Sequence, residues 1–167
     1  MSTKHIDKHS FIKPGAMHSF TVRPLSETDT DTDEWFRMRI TLWDDYTEEE
    51  MRADLDNWRS EPDNATFVLD RGDGRLGGFI EMGQRKYAEG CDSSPVAYIE
   101  GWYVDEDLRG QGWGKKLVMA GEDWARKHTL TEIASDTWLD NETSIKAHLA
   151  LGYAEEERLV HFLKKLI

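Results

Sequence analysis

Cysteine is nearly missing. The chain has 167 residues and one cysteine, Cys91, so no disulfide can form within it. Cys91 sits in Glu89-Gly90-Cys91-Asp92-Ser93-Ser94-Pro95 without a catalytic pattern around it, and reads as a plain loop residue rather than a nucleophile. Long apolar runs are missing too. None approaches the roughly 20 residues that cross a bilayer, which argues against a membrane partner. The stretch from Met1 to Gly15 is polar and holds no apolar segment of signal-peptide length, so a cytoplasmic protein is expected. Basic charge is short: 21 Lys and Arg face 33 Asp and Glu, a net charge of −12. Such a chain repels phosphate backbones and attracts cations, which disfavours nucleic acid as a partner. The six histidines show no ligand spacing within one helix; His5 and His9 are four apart, but in the polar leader, so no metal is expected.

What is present reads as one α/β domain, residues 17–167, behind a polar leader, residues 1–16. Phe20 to Leu25 alternates like a first strand. Thr28 to Asp33 offers several helix caps, and Trp35, Met38 and Leu42 follow as an apolar face. Thr47 with Glu50 forms a capping-box pattern ahead of Met51, Leu55 and Trp58, and Pro62 ends that helix. Strands are expected over Thr66–Leu69 and Leu76–Met82, joined by the Arg71–Gly74 turn, and a polar loop, Gly83 to Pro95, leads to a strand over Val96–Val104. An amphipathic helix from about Gly112 to His128 buries Leu117, Met119 or Ala120, Gly121 and Trp124. A short strand, Glu132–Asp136, a helix, Asn141–Leu151, ended by Gly152, and one or two closing strands between Tyr153 and Leu166 complete the order. Strands and helices in this order make a mixed domain with helices flanking a sheet.

Two neighbouring features carry chemistry. Arg109-Gly110-Gln111-Gly112-Trp113-Gly114-Lys115 lies between the strongest strand and the amphipathic helix. Its glycines allow a tight turn and a close approach, and the free N–H groups opening a helix bind phosphate oxygens. It lacks the ending of a Walker loop and the spacing of a dinucleotide fingerprint. The strand before it, Ala97-Tyr98-Ile99-Glu100-Gly101-Trp102-Tyr103-Val104, is apolar except for Glu100. A carboxylate there is costly unless solvated, paired or used. Gly101 suggests a bulge, where the strand could splay and offer its N–H and C=O groups to an extended ligand with amides of its own. Glu81 is a second strand acid able to face the same pocket.

The glycine loop resembles the pyrophosphate loop of GNAT acetyltransferases. More specifically, Gly90-Cys91-Asp92-Ser93-Ser94-Pro95-Val96, Ile99-Glu100-Gly101, Ala134-Ser135-Asp136-Thr137, Asn141-Glu142-Thr143-Ser144, His148 to Tyr153 and Glu155 to Arg158 are similar to blocks of the aminoglycoside 6′-N-acetyltransferases, over about Phe20 to Lys165. The resemblance implies a GNAT fold: a mixed, mostly antiparallel sheet, splayed at the acetyl-CoA site and flanked by about four helices. It implies acetyl-CoA as cosubstrate and a homodimer, to which the aromatic-rich tail is expected to contribute an edge. It gives Trp102, Tyr103 and Val104 the pantetheine arm, Arg109, Gly110, Gln111, Gly112, Trp113, Gly114 and Lys115 the pyrophosphate, and Asn141 a further cofactor contact. Trp43, Tyr87, Glu100, Asp136 and Glu157 would hold the aminoglycoside, a polycationic sugar that carboxylates and aromatic faces suit.

For the reaction, direct attack of the amine in a ternary complex, Glu100 is the first candidate base and Asp136 the second. His148 stands where many GNAT enzymes carry a tyrosine acid. Plainer readings stand beside these: Trp43 as core, Asp136 as a turn cap, Glu157 as part of a solvated acidic run, His148 as a packed helix residue. A GNAT enzyme acting on a polyamine or a protein, and a non-catalytic acyl-CoA-binding module, fit the same fold.

Overall fold

A computed structural model describes residues 19–166; the polar leader, residues 1–16, lies outside the described residues. The two N-terminal helices begin where their caps are written. Helix α1 (Asp29–Leu42) follows Thr28, whose hydroxyl accepts from the Asp31 N–H at 3.3 Å. Helix α2 (Glu48–Ser60) opens on a complete capping box: Thr47 Oγ1 accepts from the Glu50 N–H at 3.2 Å, and the Glu50 carboxylate accepts from the Thr47 N–H at 2.9 Å.

Five strands, β1 (Thr21–Pro24), β2 (Ala65–Asp70), β3 (Leu76–Arg85), β4 (Val96–Val104) and β5 (Ile133–Ser135), lie in chain order across one sheet. The first four pair antiparallel and β5 pairs parallel to β4. A 3₁₀ turn (Glu106–Leu108) follows β4, then come α3 (Trp113–Lys127) and, beyond β5, α4 (Glu142–Ala150). The architecture is the expected mixed α/β sheet flanked by four helices.

Alternation along the central strands sends neighbouring side chains to opposite faces, and each face has its own core. On one, Leu69, Ile80 and Met82 pack with Leu117, Val118 and Trp124 of α3. On the other, Val68 and Phe79 pack with Trp35 and Met38 of α1 and Leu55 of α2. Met119 is half exposed, so the buried stripe of α3 passes on the Ala120 side of it.

Two expectations change. β3 continues three residues past Met82, to Arg85, because Gly83, Gln84 and Arg85 find ladder partners in Tyr98, Ala97 and Val96. The closing strands are absent: residues 153–166 form no strand among the described residues. A strand needs a neighbouring ladder, and the edge strand β5 is only three residues long. The tail instead leaves Val160, Phe162, Leu163 and Leu166 exposed.

Candidate active site

Strand β4 is bordered by β5 only at Ala97, Tyr98 and Ile99, which pair with Ile133, Ala134 and Ser135. From Glu100 to Val104 it keeps β3 on one side, while β5 has ended on the other. The open ladder leads through the 3₁₀ turn into the glycine loop. Gly110 and Gly112 adopt φ of 73° and 84°, which side chains with a Cβ rarely tolerate. Arg109 Nε ties the loop back to the Val104 carbonyl at 2.9 Å, and Gln111 Nε2 does the same to Asp107 O at 2.8 Å. Helix α3 starts after Gly112 with no side-chain cap, so the N–H groups of its first turn are available to an anion.

The register of β3 against β4 shifts between Glu81, opposite Gly101, and Met82, opposite Ile99. Glu100 is the extra residue of this bulge, which bends the strand and turns a carboxylate towards a 250 Å³ pocket under α1 and α2. The pocket is lined by Arg39, Trp43, Tyr46, Met51, Asp54, Trp58, Glu81 and Glu100. Trp43, at the C-terminus of α1, lies over Gly101: a Cβ there would meet its ring at 2.7 Å.

Charges crowd this wall. Glu81, 1% exposed, accepts from Trp35 Nε1 at 2.7 Å, and its carboxylate lies 3.3 Å from Arg39 Nη1. Burial pushes the Glu81 carboxyl up to about 7, against the opposing pull of Arg39 and the Trp35 bond. Arg39 is itself buried, bonded to Asp54 and stacked 5.3 Å from the Trp35 ring and 4.9 Å from that of Trp43. Glu100 is held by Arg85, whose Nε and Nη2 donate at 2.8 and 2.5 Å. Next to it the Tyr98 hydroxyl donates to Asp136 at 2.5 Å. Burial and that bond raise the Tyr98 phenol well above its ordinary value. Among the described residues, no group of three or more His, Cys, Asp or Glu side chains is gathered as for a metal ion.

The sequence profile of the acetyltransferase (GNAT) family matches residues 32–153. The chain belongs to this family. It is 42% identical, over 87% of its length and 96% of the relative's, to an aminoglycoside N(6')-acetyltransferase type 1 of Klebsiella aerogenes. With the enzyme of the same name from Serratia marcescens it shares 38% over 80% of its own length and 92% of the relative's. The structure of AAC(6')-Iy in complex with the bisubstrate analog CoA-S-monomethyl-acetylneamine superposes with a TM-score of 0.81 at 32% identity, covering 88% of this chain and 99% of that one. That of the antibiotic 6'-N-acetyltransferase AAC(6')-Ih from Acinetobacter baumannii gives 0.80 at 30% identity, covering 89% and 99%. In a GNAT acetyltransferase the open β4 ladder and the uncapped start of α3 fit the two halves of acetyl-CoA, an amide-bearing arm and a pyrophosphate.

The acetyltransferase fold draws the residues singled out in the sequence into three groups. Trp102, Tyr103 and Val104 lie on the open ladder, and Arg109 to Lys115 form the loop beside it. Trp113 also stacks on Phe20, with ring centroids 5.3 Å apart. Trp43 and Glu100 line the pocket, and Asp136 joins them through Tyr98.

Asn141 spends its side chain as the cap of α4, accepting from the Ser144 N–H at 3.1 Å. His148 has both ring nitrogens engaged, Nδ1 with Ser144 O at 2.8 Å and Nε2 with Ser135 Oγ at 3.1 Å, and meets Trp102 edge-on at 5.3 Å. Tyr87, 67% exposed, and Glu157, on the exposed tail, are not part of the pocket wall.

Three residues of the site lie outside the set to which the sequence points. Arg39 lies four residues from both Trp35 and Trp43, a spacing that stacks it between them on α1. Tyr98 is two residues before Glu100 on the same strand. Arg85 reads as loop in the sequence because β3 runs on past Met82 only through its pairing with β4.

Proposed function

We propose that this enzyme transfers the acetyl group of acetyl-CoA to the 6′-amine of aminoglycoside antibiotics and so confers resistance to them. The observation that carries the reading is the placement of Glu100: a bulge turns this carboxylate into an acid-rich, aromatic-walled pocket at the point where β4 parts from β5. A cationic amine held there lies beside the open ladder.

Bound acetyl-CoA supplies the acetyl thioester, the electrophile of the reaction. In this reading the backbone of Trp102, Tyr103 and Val104 pairs with the pantetheine arm, residues Arg109 to Lys115 cradle the pyrophosphate, and Asn141 sits at the cofactor's edge. Trp43, Tyr87, Asp136 and Glu157 hold the aminoglycoside. Glu100 orients the 6′-ammonium and takes its proton, with Asp136 as second acceptor, so that the free amine attacks directly in a ternary complex. His148, oriented by Ser144 and Ser135, is the proton donor for the departing thiolate. The enzyme works in the cytoplasm as a homodimer, and the apolar tail supplies an edge to the dimer.

Incubation with acetyl-CoA and kanamycin, tobramycin or spermidine, following release of free coenzyme A, tests the reading. It expects release with both antibiotics and acetylation at the 6′-nitrogen. Release with spermidine alone refutes the acceptor, and no release with any amine refutes the enzyme reading. Glu100→Gln should lower turnover about a hundredfold with acetyl-CoA binding intact; full turnover would remove Glu100 as the base.

A further inference from the structure

Glu100 already has a cationic partner from its own chain. Because β3 runs on to Arg85, residues 81, 83 and 85 alternate onto one face of the sheet. Gly83 keeps the way open between them: a Cβ there would come within 3.2 Å of Glu100 Oε1 and 3.3 Å of Asn64 Oδ1. The Glu100 carboxylate therefore passes over Gly83 and takes both bonds from the Arg85 guanidinium. The carbon of that guanidinium lies 3.3 Å from the centroid of the Tyr98 ring, and the Tyr98 hydroxyl is bonded to Asp136. Arg85 thus occupies a subsite built from a carboxylate, an aromatic face and a second carboxylate behind it. That is what recognises an ammonium group.

The two arginines near the pocket differ in how firmly they are held. Arg39 has a side chain 3% exposed, pinned by Asp54 and Glu81 between two indoles. The Arg85 side chain is 42% exposed and its ion pair is with Glu100. Water can solvate Arg85 after a rotation about its own side chain, whereas Arg39 would have to leave the core.

We propose that Arg85 is a tethered competitor for the acceptor amine: it fills the ammonium subsite at Glu100, and the 6′-ammonium of the substrate displaces it into solvent. This rests on the acceptor assigned above. Displacement exchanges one cation for another, so the pocket never holds an uncompensated Glu100. It also means that an acceptor with a hydroxyl at the 6′ carbon leaves Arg85 where it is.

Neomycin and paromomycin differ in bearing an amine or a hydroxyl at that carbon. Calorimetric titration of each into the wild type, Arg85→Gln and Arg85→Lys, all saturated with coenzyme A, tests the proposal. An exposed ion pair is worth up to about 1 kcal/mol, or about fivefold in affinity. Arg85→Gln should therefore bind neomycin about fivefold tighter and paromomycin no tighter, with Arg85→Lys between the wild type and the glutamine variant. Weaker or unchanged neomycin binding would overturn the proposal and make Arg85 a support for Glu100. Equal gains for both antibiotics would overturn it as well, leaving only a change in overall charge. If Arg85→Gln fails to bind coenzyme A, the lysine variant decides by the same comparison. A wild type that acetylates neomycin while the variants show no gain refutes the competitor alone; a wild type that does not acetylate neomycin refutes the acceptor assignment and the competitor with it.

Discussion

Replacing Glu81 by glutamine should make the protein more stable at alkaline pH, although it removes half of a buried ion pair. Glu81 is 1% exposed and titrates at about 7 in the native state, where an ordinary glutamate titrates at 4.5. Burial is the main cause; the Arg39 charge 3.3 Å away and the Trp35 bond recover only part of it. Between those two values the unfolded chain has released a proton that the native state still holds. Native stability therefore falls as pH rises from 4.5, and the loss is complete above about 7. A gap of about 2.5 pH units, at about 1.4 kcal/mol per unit, makes the loss about 3 kcal/mol. Glutamine keeps an oxygen for the Trp35 N–H and cannot ionise. Urea unfolding followed by tryptophan fluorescence should find Glu81→Gln within about 1 kcal/mol of the wild type at pH 5 and about 3 kcal/mol more stable at pH 8, with the same denaturant slope. A variant less stable than the wild type at pH 8 would refute the reasoning, because the Arg39 pair would then outweigh the burial of the charge.

Two further substitutions separate the glycine loop from the scaffold. In Gly112→Ala the new Cβ meets no atom within 4 Å, so the penalty is that of the φ of 84° itself, about 1 kcal/mol; coenzyme A affinity measured by calorimetry should fall about fivefold, and an unchanged affinity would detach the loop from cofactor binding. Thr47→Ala breaks the capping box of α2 and should lower unfolding stability by about 1 kcal/mol while leaving coenzyme A affinity as it was; a loss in affinity instead would link α2 to the cofactor side.

Much of this was readable from residue order because local chemistry decides it. Thr28 and Thr47 cap helices as their side chains require, and the tight turn expected of the glycine loop is made with Gly110 and Gly112 in the left-handed backbone. The bulge at Glu100 followed from a carboxylate beside a glycine in an apolar strand. What was not readable depends on partners distant in the chain. Nothing in Gly83-Gln84-Arg85 marks it as strand until Val96 to Tyr98 lie alongside, and so Arg85 reads as a loop residue. The tail failed in the opposite sense. Its apolar residues suit a strand, but pairing is a property of the neighbour, and β5 offers three residues. Arg39 carries no signal of its own in the sequence, because its partners Asp54 and Glu81 lie 15 and 42 residues away.

The sheet keeps separate accounts on its two faces. In the proposed assignment the acceptor-facing side chains come from α1, α2 and the bulge; α3 and its loop pack on a core that shares no residue with theirs. Substitutions under α1 and α2 can therefore reshape the acceptor pocket without disturbing the layer that carries the glycine loop. An enzyme built this way can follow a changing set of antibiotics by drift on one side of a wall, while the other side, fitted to a cosubstrate that does not change, stays as it is.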